Sequence, residues 1–324
     1  MRKKIKLNAK VSLLQLGQRL DQTLKELFPN YSRSFLKAWI LNQCVSVNGS
    51  IVDKAKKKVS GGELISIDAE IKERTCWVSK EIPLNIVYED NEILLINKPS
   101  QLVVHPGPGH DDDTVMNAIL YHFPESACIP RAGIVHRLDK DTTGLMVIAK
   151  TISAHNHLLQ DLRKREIIRE YEAIVSGRII ANGKVDAPIG RHIKKRTHMA
   201  VNSVGKPAIT HYRIIKNFRH HTWLRLQLET GRTHQIRVHM SHISHPIVGD
   251  PIYSRHSNLP KGSSEVFMAA LSAFNRQALH ATMLRMRHPV SGIAMEWHTE
   301  LPMDMVGLIN EIQIDTENFQ QKNN

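Results

Sequence analysis

The run Gly133-Ile-Val-His136-Arg137-Leu138-Asp139-Lys140-Asp141-Thr142-Thr143-Gly144-Leu145 sets a histidine, an arginine, two carboxylates and two hydroxyls between apolar flanks. Ile134-Val135 on one side and Leu145–Ala149 on the other call for burial, so the polar loop is pinned against a core at both ends. Such a support holds a reactive group rigidly. A local turn, with Asp and Thr side chains capping backbone donors, suits Asp141-Thr142-Thr143-Gly144. It suits His136-Arg137-Leu138-Asp139 poorly, because charge beside apolar flanks needs a partner. A second run, Glu229-Thr-Gly-Arg-Thr-His-Gln-Ile-Arg237-Val-His239, follows a strand and a Gly break. Its alternation predicts an extended Gln235–His239, with Gln235, Arg237 and His239 on one face. Arg237, flanked by apolar residues, then needs an anion, for which Asp139 is the candidate. A guanidinium holding a carboxylate gives an anionic nucleophile without a metal.

The remaining chemistry-bearing residues are weaker. His239, His242 and His245, with Asp250 after them, have a spacing that a helix could turn into a metal site. No HExxH is present, and Ser241 and Pro246 suggest a loop, so no metal is expected. Gly107, Gly109 and Gly231 are turn glycines; neither GxGxxG nor GxxxxGK[ST] occurs.

The elements that must position these groups follow from periodicity. Residues 18–28 place Leu20, Leu24, Leu27 and Phe28 on one helical face. Ser32 is suited to cap a second helix over 32–43 with Phe35, Leu36, Trp39 and Ile40 apolar. A short strand at Val45–Val47 runs into Asn48-Gly49, and Gly61-Gly62 leads into another at 63–67. Residues 69–84 are polar and mixed and end near Pro83, so they read as a linker, with 79–84 falling between the two domains. Beyond them come strands at 86–88, 93–96, 145–150, 171–175, 209–216 and 222–229, with helices at 114–123 and 153–165. Strands outnumber helices without strict β-α-β alternation, so the larger domain is α+β with a mostly antiparallel sheet. Residues 1–17 are expected to form a basic arm, and 303–324 a short helix and frayed tail.

The 324 residues allow about two domains. No apolar run approaches the ~18–20 residues of a membrane span, and the N-terminus lacks the apolar core of a secretory signal. Cys44, Cys76 and Cys128 are far apart, which excludes a disulfide scaffold or a cysteine zinc site and fits a reducing compartment. The net charge is +13, of which residues 1–80 carry +9, from 16 Lys and Arg against 7 Asp and Glu. Concentrated positive charge attracts polyanions, so nucleic acid is the first partner to consider. The runs Lys54–Lys58, Arg163–Arg165 and Lys194–Arg196 are candidate phosphate contacts.

RLDQTL, SRSFLKAWI and VSVNG make the N-terminal stretch resemble the S4 (alpha-L) RNA-binding domain, expected at residues 18–78. EDNEILLINKPSQLVVHPG, HRLDKDTTGLMVIAK, REYEAIV and TGRTHQIRVH, in that order, make residues 85–302 resemble the RluA-type family of pseudouridine synthases. The likeness runs from about Gln18 to Arg287. It implies a catalytic domain that converts uridine to pseudouridine in 23S ribosomal RNA or a large-subunit precursor, at the helix-69 stem-loop, in the cytoplasm. No cofactor, metal or membrane is implied, and a monomer is expected. By the same resemblance Asp139 would be the nucleophile, Arg137 would fill the gap left by the extruded base, Tyr171 would lie against the uracil, and Arg237 would pair with Asp139. The uridine must be flipped out at a cost of a few kcal/mol. An aromatic such as Tyr171 recovers ~1–3 kcal/mol by stacking. The carboxylate can act at C1′, at uracil C6, or in helping the base depart. The C5 proton needs a weak base, Asp139 or Tyr171. The rivals are action on other ribosomal or transfer RNA uridines, a non-catalytic RNA-binding assembly factor, and a metal-dependent nuclease.

Overall fold

The structure is a computed structural model that describes all residues except 1, 30, 32, 73–77, 108, 196–197, 255–261 and 324. Ser32, Cys76 and Arg196 therefore lie outside the described residues. The chain divides into two compact units, Met1–Trp77 and Val78–Asn324.

In the first unit the order is β1 (Arg2–Lys10), α1 (Leu20–Leu27), α2 (Arg33–Leu41), β2 (Val45–Val47), β3 (Ser50–Ile51) and β4 (Leu64–Lys72). The strands form one sheet in the order β1-β4-β2-β3. Leu20 and Leu24 of α1 and Leu36, Trp39 and Ile40 of α2 bury against Val45, Ile65 and Ile67. Phe35, expected in that core, is 39% exposed and stacks on Tyr31 instead. Two expectations are corrected here. The basic arm is a strand: β1 pairs antiparallel with β4, from Arg2 opposite Lys72 to Lys10 opposite Leu64. Its Ile5-Lys-Leu-Asn-Ala-Lys10 alternation is the period-2 signal, with Lys6 and Lys10 outward. Residues 69–72 belong to β4 and not to a linker.

The second unit runs β5 (Ile86–Glu89), β6 (Ile93–Lys98), α3 (Val115–His122), β7 (Thr143–Ala149), α4 (Ile152–Lys164), β8 (Ile168–Ser176), β9 (Gly183–Asp186), β10 (Ile189–Arg191), β11 (Met199–Val201), β12 (Ile209–Asn217), β13 (His221–Leu228), α5 (Gln235–His242), α6 (Glu265–Ala273), β14 (Leu279–Arg287), β15 (Ala294–His298) and α7 (Met303–Asn323). Nine strands form a sheet in the order β5-β6-β7-β14-β8-β13-β12-β9, with β15 also on β14. Among these described strands only the β7–β14 pairing is parallel, so the unit is α+β and mostly antiparallel.

β6 and β7 are covered on both faces. Leu94, Ile96, Met146 and Ile148 join the main core, while Ile93, Leu95, Leu145, Val147 and Ala149 pack with Ala154 and Leu158 of α4. The 145–149 run is continuously apolar for that reason. The C-terminal tail is a correction: α7 is one long helix, because Met305, Leu308 and Ile312 recur at helical spacing and bury in the main core. Residues 78–84 lie along this unit. Val78 O accepts from Asn117 Nδ2 at 2.7 Å, and Lys80 reaches Asp112 at 3.0 Å.

Candidate active site

Both ends of the loop before β7 are held by glycines where no side chain fits. Gly133 has φ +80°, and a Cβ there would lie 1.9 Å from the Ala149 carbonyl oxygen. Gly144 has φ +112°, and a Cβ would lie 2.3 Å from the Ala281 carbonyl oxygen. Between them Ile134 and Leu138 are buried and Arg137 is exposed. The Val147 N–H donates to His136 Nε2 at 3.0 Å, which ties the loop to β7. The loop's carbonyls are caught by cations. Lys98, fully buried, donates to Lys140 O at 2.9 Å and to Pro99 and Leu102 carbonyls. Arg276 donates to Asp141 O at 3.3 Å and clamps Asp304 at 2.6 and 2.8 Å. Burial pulls the Lys98 ammonium down to about 7.

Asp139 lies at the wall of a cleft of about 530 Å³ that is also lined by Arg137, Tyr171, His234 and Arg237. All four residues singled out from the sequence thus face one cavity. Arg237 Nη1 donates to Asp139 Oδ2 at 3.0 Å. The expected partner is right and the expected element is wrong. Gln235–His239 is not a strand but the start of α5, which follows the 230–234 turn through His234 at φ 56°. Gln235 braces that turn, accepting from Arg232 N–H and Thr230 Oγ1. On the helix Gln235 and His239 share a side facing Thr210, at 3.0 and 2.9 Å, while Arg237 is rotated about 200° from Gln235, toward the cleft. Five alternating residues fit either period, so local pattern could not decide.

Asp250, weighed from the sequence only as a candidate metal ligand beside the histidines, is instead the main partner of Arg237. Its carboxylate grips Arg237 bidentately, at 2.7 and 2.9 Å, and accepts N–H donors from Ile252 and Tyr253. The carboxylate is thus committed to the arginine, and the histidines beside it are spent on hydrogen bonds: His239 on Thr210 and Ala187 O, His245 on Ser176 O. Among the described residues no group of three or more His, Cys, Asp or Glu is placed to hold a metal ion. Burial would weaken the Arg237 cation, but the Asp250 hydrogen bonds and the charges of Asp250 and Asp139 push its pKa up. Its face also covers the Tyr253 ring at 5.1 Å. Asp250 therefore fixes the guanidinium, and Asp139 receives a single end-on hydrogen bond that leaves Oδ1 toward the cleft, 3.9 Å from His234 Nε2. Burial lowers the His234 pKa, and its Nδ1 bonds the Tyr253 hydroxyl at 2.8 Å.

Residues 92–242 match the RNA pseudouridylate synthase family, and residues 18–65 match the S4 domain. The ribosomal large subunit pseudouridine synthase D of Yersinia pestis is 62% identical over 322 residues, 99% of each chain. That of Escherichia coli K12 is 61% identical over 317 residues, 98% of this chain and 97% of its own. The chain belongs to the RNA pseudouridylate synthase family. It is a pseudouridine synthase, an isomerase acting on RNA, with an N-terminal S4 domain. Among solved structures, human RNA pseudouridylate synthase domain containing 4 superposes with a TM-score of 0.56 at 25% identity, covering 71% of this chain and 93% of that one. Of the basic runs, Lys54, Lys56, Lys57, Lys58, Arg163, Lys164, Lys194 and Lys195 are exposed, but Arg165 is held by Glu229 and is not a free phosphate contact. No helix among the described residues is long and apolar enough to cross a membrane.

Proposed function

We propose that this synthase isomerises uridines of 23S ribosomal RNA, those of the helix-69 stem-loop, on the RNA or a large-subunit precursor, as a cytoplasmic monomer. The names of its full-length relatives support the large-subunit substrate. One observation carries the chemistry: the Asp139 carboxylate is held from one side by Arg237 at 3.0 Å and opens on the other into a cleft shared with Tyr171. Asp139 is the nucleophile, Arg237 its orienting partner, Tyr171 the platform for the flipped ring, and exposed Arg137 the group that enters the vacated stack. Because the product is an isomer, no cofactor is consumed. The S4-like unit, with its concentrated basic charge, supplies RNA affinity.

The test is release of label from [5-³H]uridine ribosomal RNA together with mapping of pseudouridine in cells with and without the protein. Loss of the helix-69 pseudouridines on deletion, and no tritium release by Asp139→Asn, are expected. Full activity of Asp139→Asn defeats the assignment of the nucleophile. Intact helix-69 pseudouridines after deletion defeat the assignment of the substrate.

A further inference from the structure

Arg169, on β8 two residues before Tyr171, is 7% exposed, and its Nε has no hydrogen-bond partner. Among the described residues it makes no ion pair. The nearby carboxylates are engaged elsewhere: Glu170 and Glu172 face Arg225, Glu229 holds Arg165 and His211, and Asp139 is on Arg237. Its Nη1 lies where a Cβ on Gly231 would come within 3.1 Å, so the guanidinium sits against the 230–234 turn that lines the cleft. A buried, unpaired guanidinium costs several kcal/mol. A second orphan donor belongs to a residue that lines the same cleft. His136 accepts at Nε2 from Val147, so the neutral ring carries its proton on Nδ1, which is buried and unpartnered. Two built, unsatisfied donors beside one aromatic platform mark a place for an acceptor-rich, anionic ligand.

We infer that Arg169, with His136, holds the carbonyl edge of the flipped uracil and stabilises the negative charge the ring acquires during reaction. This rests on the pseudouridine reaction at this cleft. When the C1′–N1 bond breaks, its electron pair leaves with the ring, and the charge spreads over O2 and O4. After the ring turns, C5 bonds to C1′, the C5 proton leaves to a base and N1 takes a proton, so atoms and charge balance without a co-reactant. The placement suits a ring better than a phosphate. Arg169 and Tyr171 share one strand face about 6.6 Å apart, which puts the guanidinium at the edge of a ring stacked on Tyr171. Strongly hydrated phosphodiesters meet exposed cations first, and Arg131, Arg137 and Arg163 occupy the rim. Donors aimed at developing charge in a site that excludes water act mainly on the transition state.

The experiment is Arg169→Met in the full chain, with Arg169→Gln as a second variant. Three quantities are measured: the melting temperature without RNA, the salt dependence of RNA binding, and single-turnover tritium release at saturating enzyme. The melting temperature is expected to hold or rise, because a charge without a partner is removed. RNA affinity and its salt slope should stay within twofold, and the single-turnover rate should fall by about 100-fold or more. A lower melting temperature in both variants shows that Arg169 is a structural group and overturns the inference. A salt slope reduced by about 0.7 with the rate retained shows a phosphate contact and also overturns it. If the wild type itself releases no tritium, the reaction assigned to the cleft has failed; an active wild type with an equally active Arg169→Met sinks the role of Arg169 alone.

Discussion

Asp250→Asn removes one charge from a pair of carboxylates that share a single buried guanidinium. The Arg237 side chain is 5% exposed, Asp250 0% and Asp139 15%. Asp250 accepts four hydrogen bonds, two from Arg237 and two from backbone N–H groups. An amide keeps one acceptor oxygen and turns two N–H donors toward groups that are themselves donors. One charge-assisted hydrogen bond of ~1.5–3 kcal/mol disappears and a buried donor is left unmet, so the cost is about 3–5 kcal/mol. At ~2–4 °C per kcal/mol for a unit of this size, the melting temperature of the second unit falls by on the order of 10 °C. Asp139→Asn removes only an end-on hydrogen bond at the cleft wall and costs about 1 kcal/mol. The double variant leaves Arg237 with no carboxylate, so it costs at least ~1 kcal/mol more than the two single changes together. Activity falls as well, because Arg237 is drawn onto Asp139 once its other anchor weakens; a misplacement of this kind can cost on the order of 100-fold. Near-UV circular dichroism melts and tritium release read both effects. A melting temperature for Asp250→Asn within about 2 °C of wild type, or an additive double variant, refutes the shared clamp.

Gly144→Ala places a methyl 2.3 Å from the Ala281 carbonyl oxygen at φ +112°, so the β7–β14 pairing must part. Expression as aggregate, or a drop above ~3 kcal/mol in urea unfolding, is expected, and a wild-type transition argues against this packing. Acid should unfold the protein through its buried histidines. Burial lowers His136 to about 3, and His221 and His280 to about 4. Each folded-state value lies below the unfolded value of about 6.5, so the unfolded chain binds more protons below that pH and stability declines as pH falls toward 4. Between about pH 7.5 and 5.5 the three together cost about 4 kcal/mol. Urea midpoints that are equal at the two pH values contradict this. Replacing Lys54, Lys56, Lys57 and Lys58 together with Gln should weaken RNA binding and flatten its salt slope by about 0.7 for each phosphate no longer neutralised, measured by fluorescence anisotropy; an unchanged slope removes this edge from the RNA interface.

Much of the second unit was legible locally. Alternation located β12 and β13, and the continuous apolar run located β7, because a strand covered on one face or on both writes that burial into successive residues. The HRLD run was legible for a different reason: charge between apolar flanks demands a partner, and Asp139 and Arg237 were each other's best counter-charge across 98 residues of chain. The same argument could not say whether residue 237 sits on a strand or on a helix, since five residues satisfy both periods. The alternation of Ile5–Lys10 did carry the β1 signal, but its closely spaced lysines read as a charged arm until β4 supplied the partner edge.

Sequence by itself determined most element types, four of the residues that face the cleft and the need for an anion at Arg237. Tertiary structure alone decided that Asp250 takes the larger share of that guanidinium, that Lys98 and Arg276 hold the loop's carbonyls, and that Arg169 is buried without a counter-charge. The physical reason is that burial and hydrogen bonding along one element repeat with its own period. A buried charge instead is satisfied by whichever group the fold carries within about 3 Å, and sequence separation does not encode that distance.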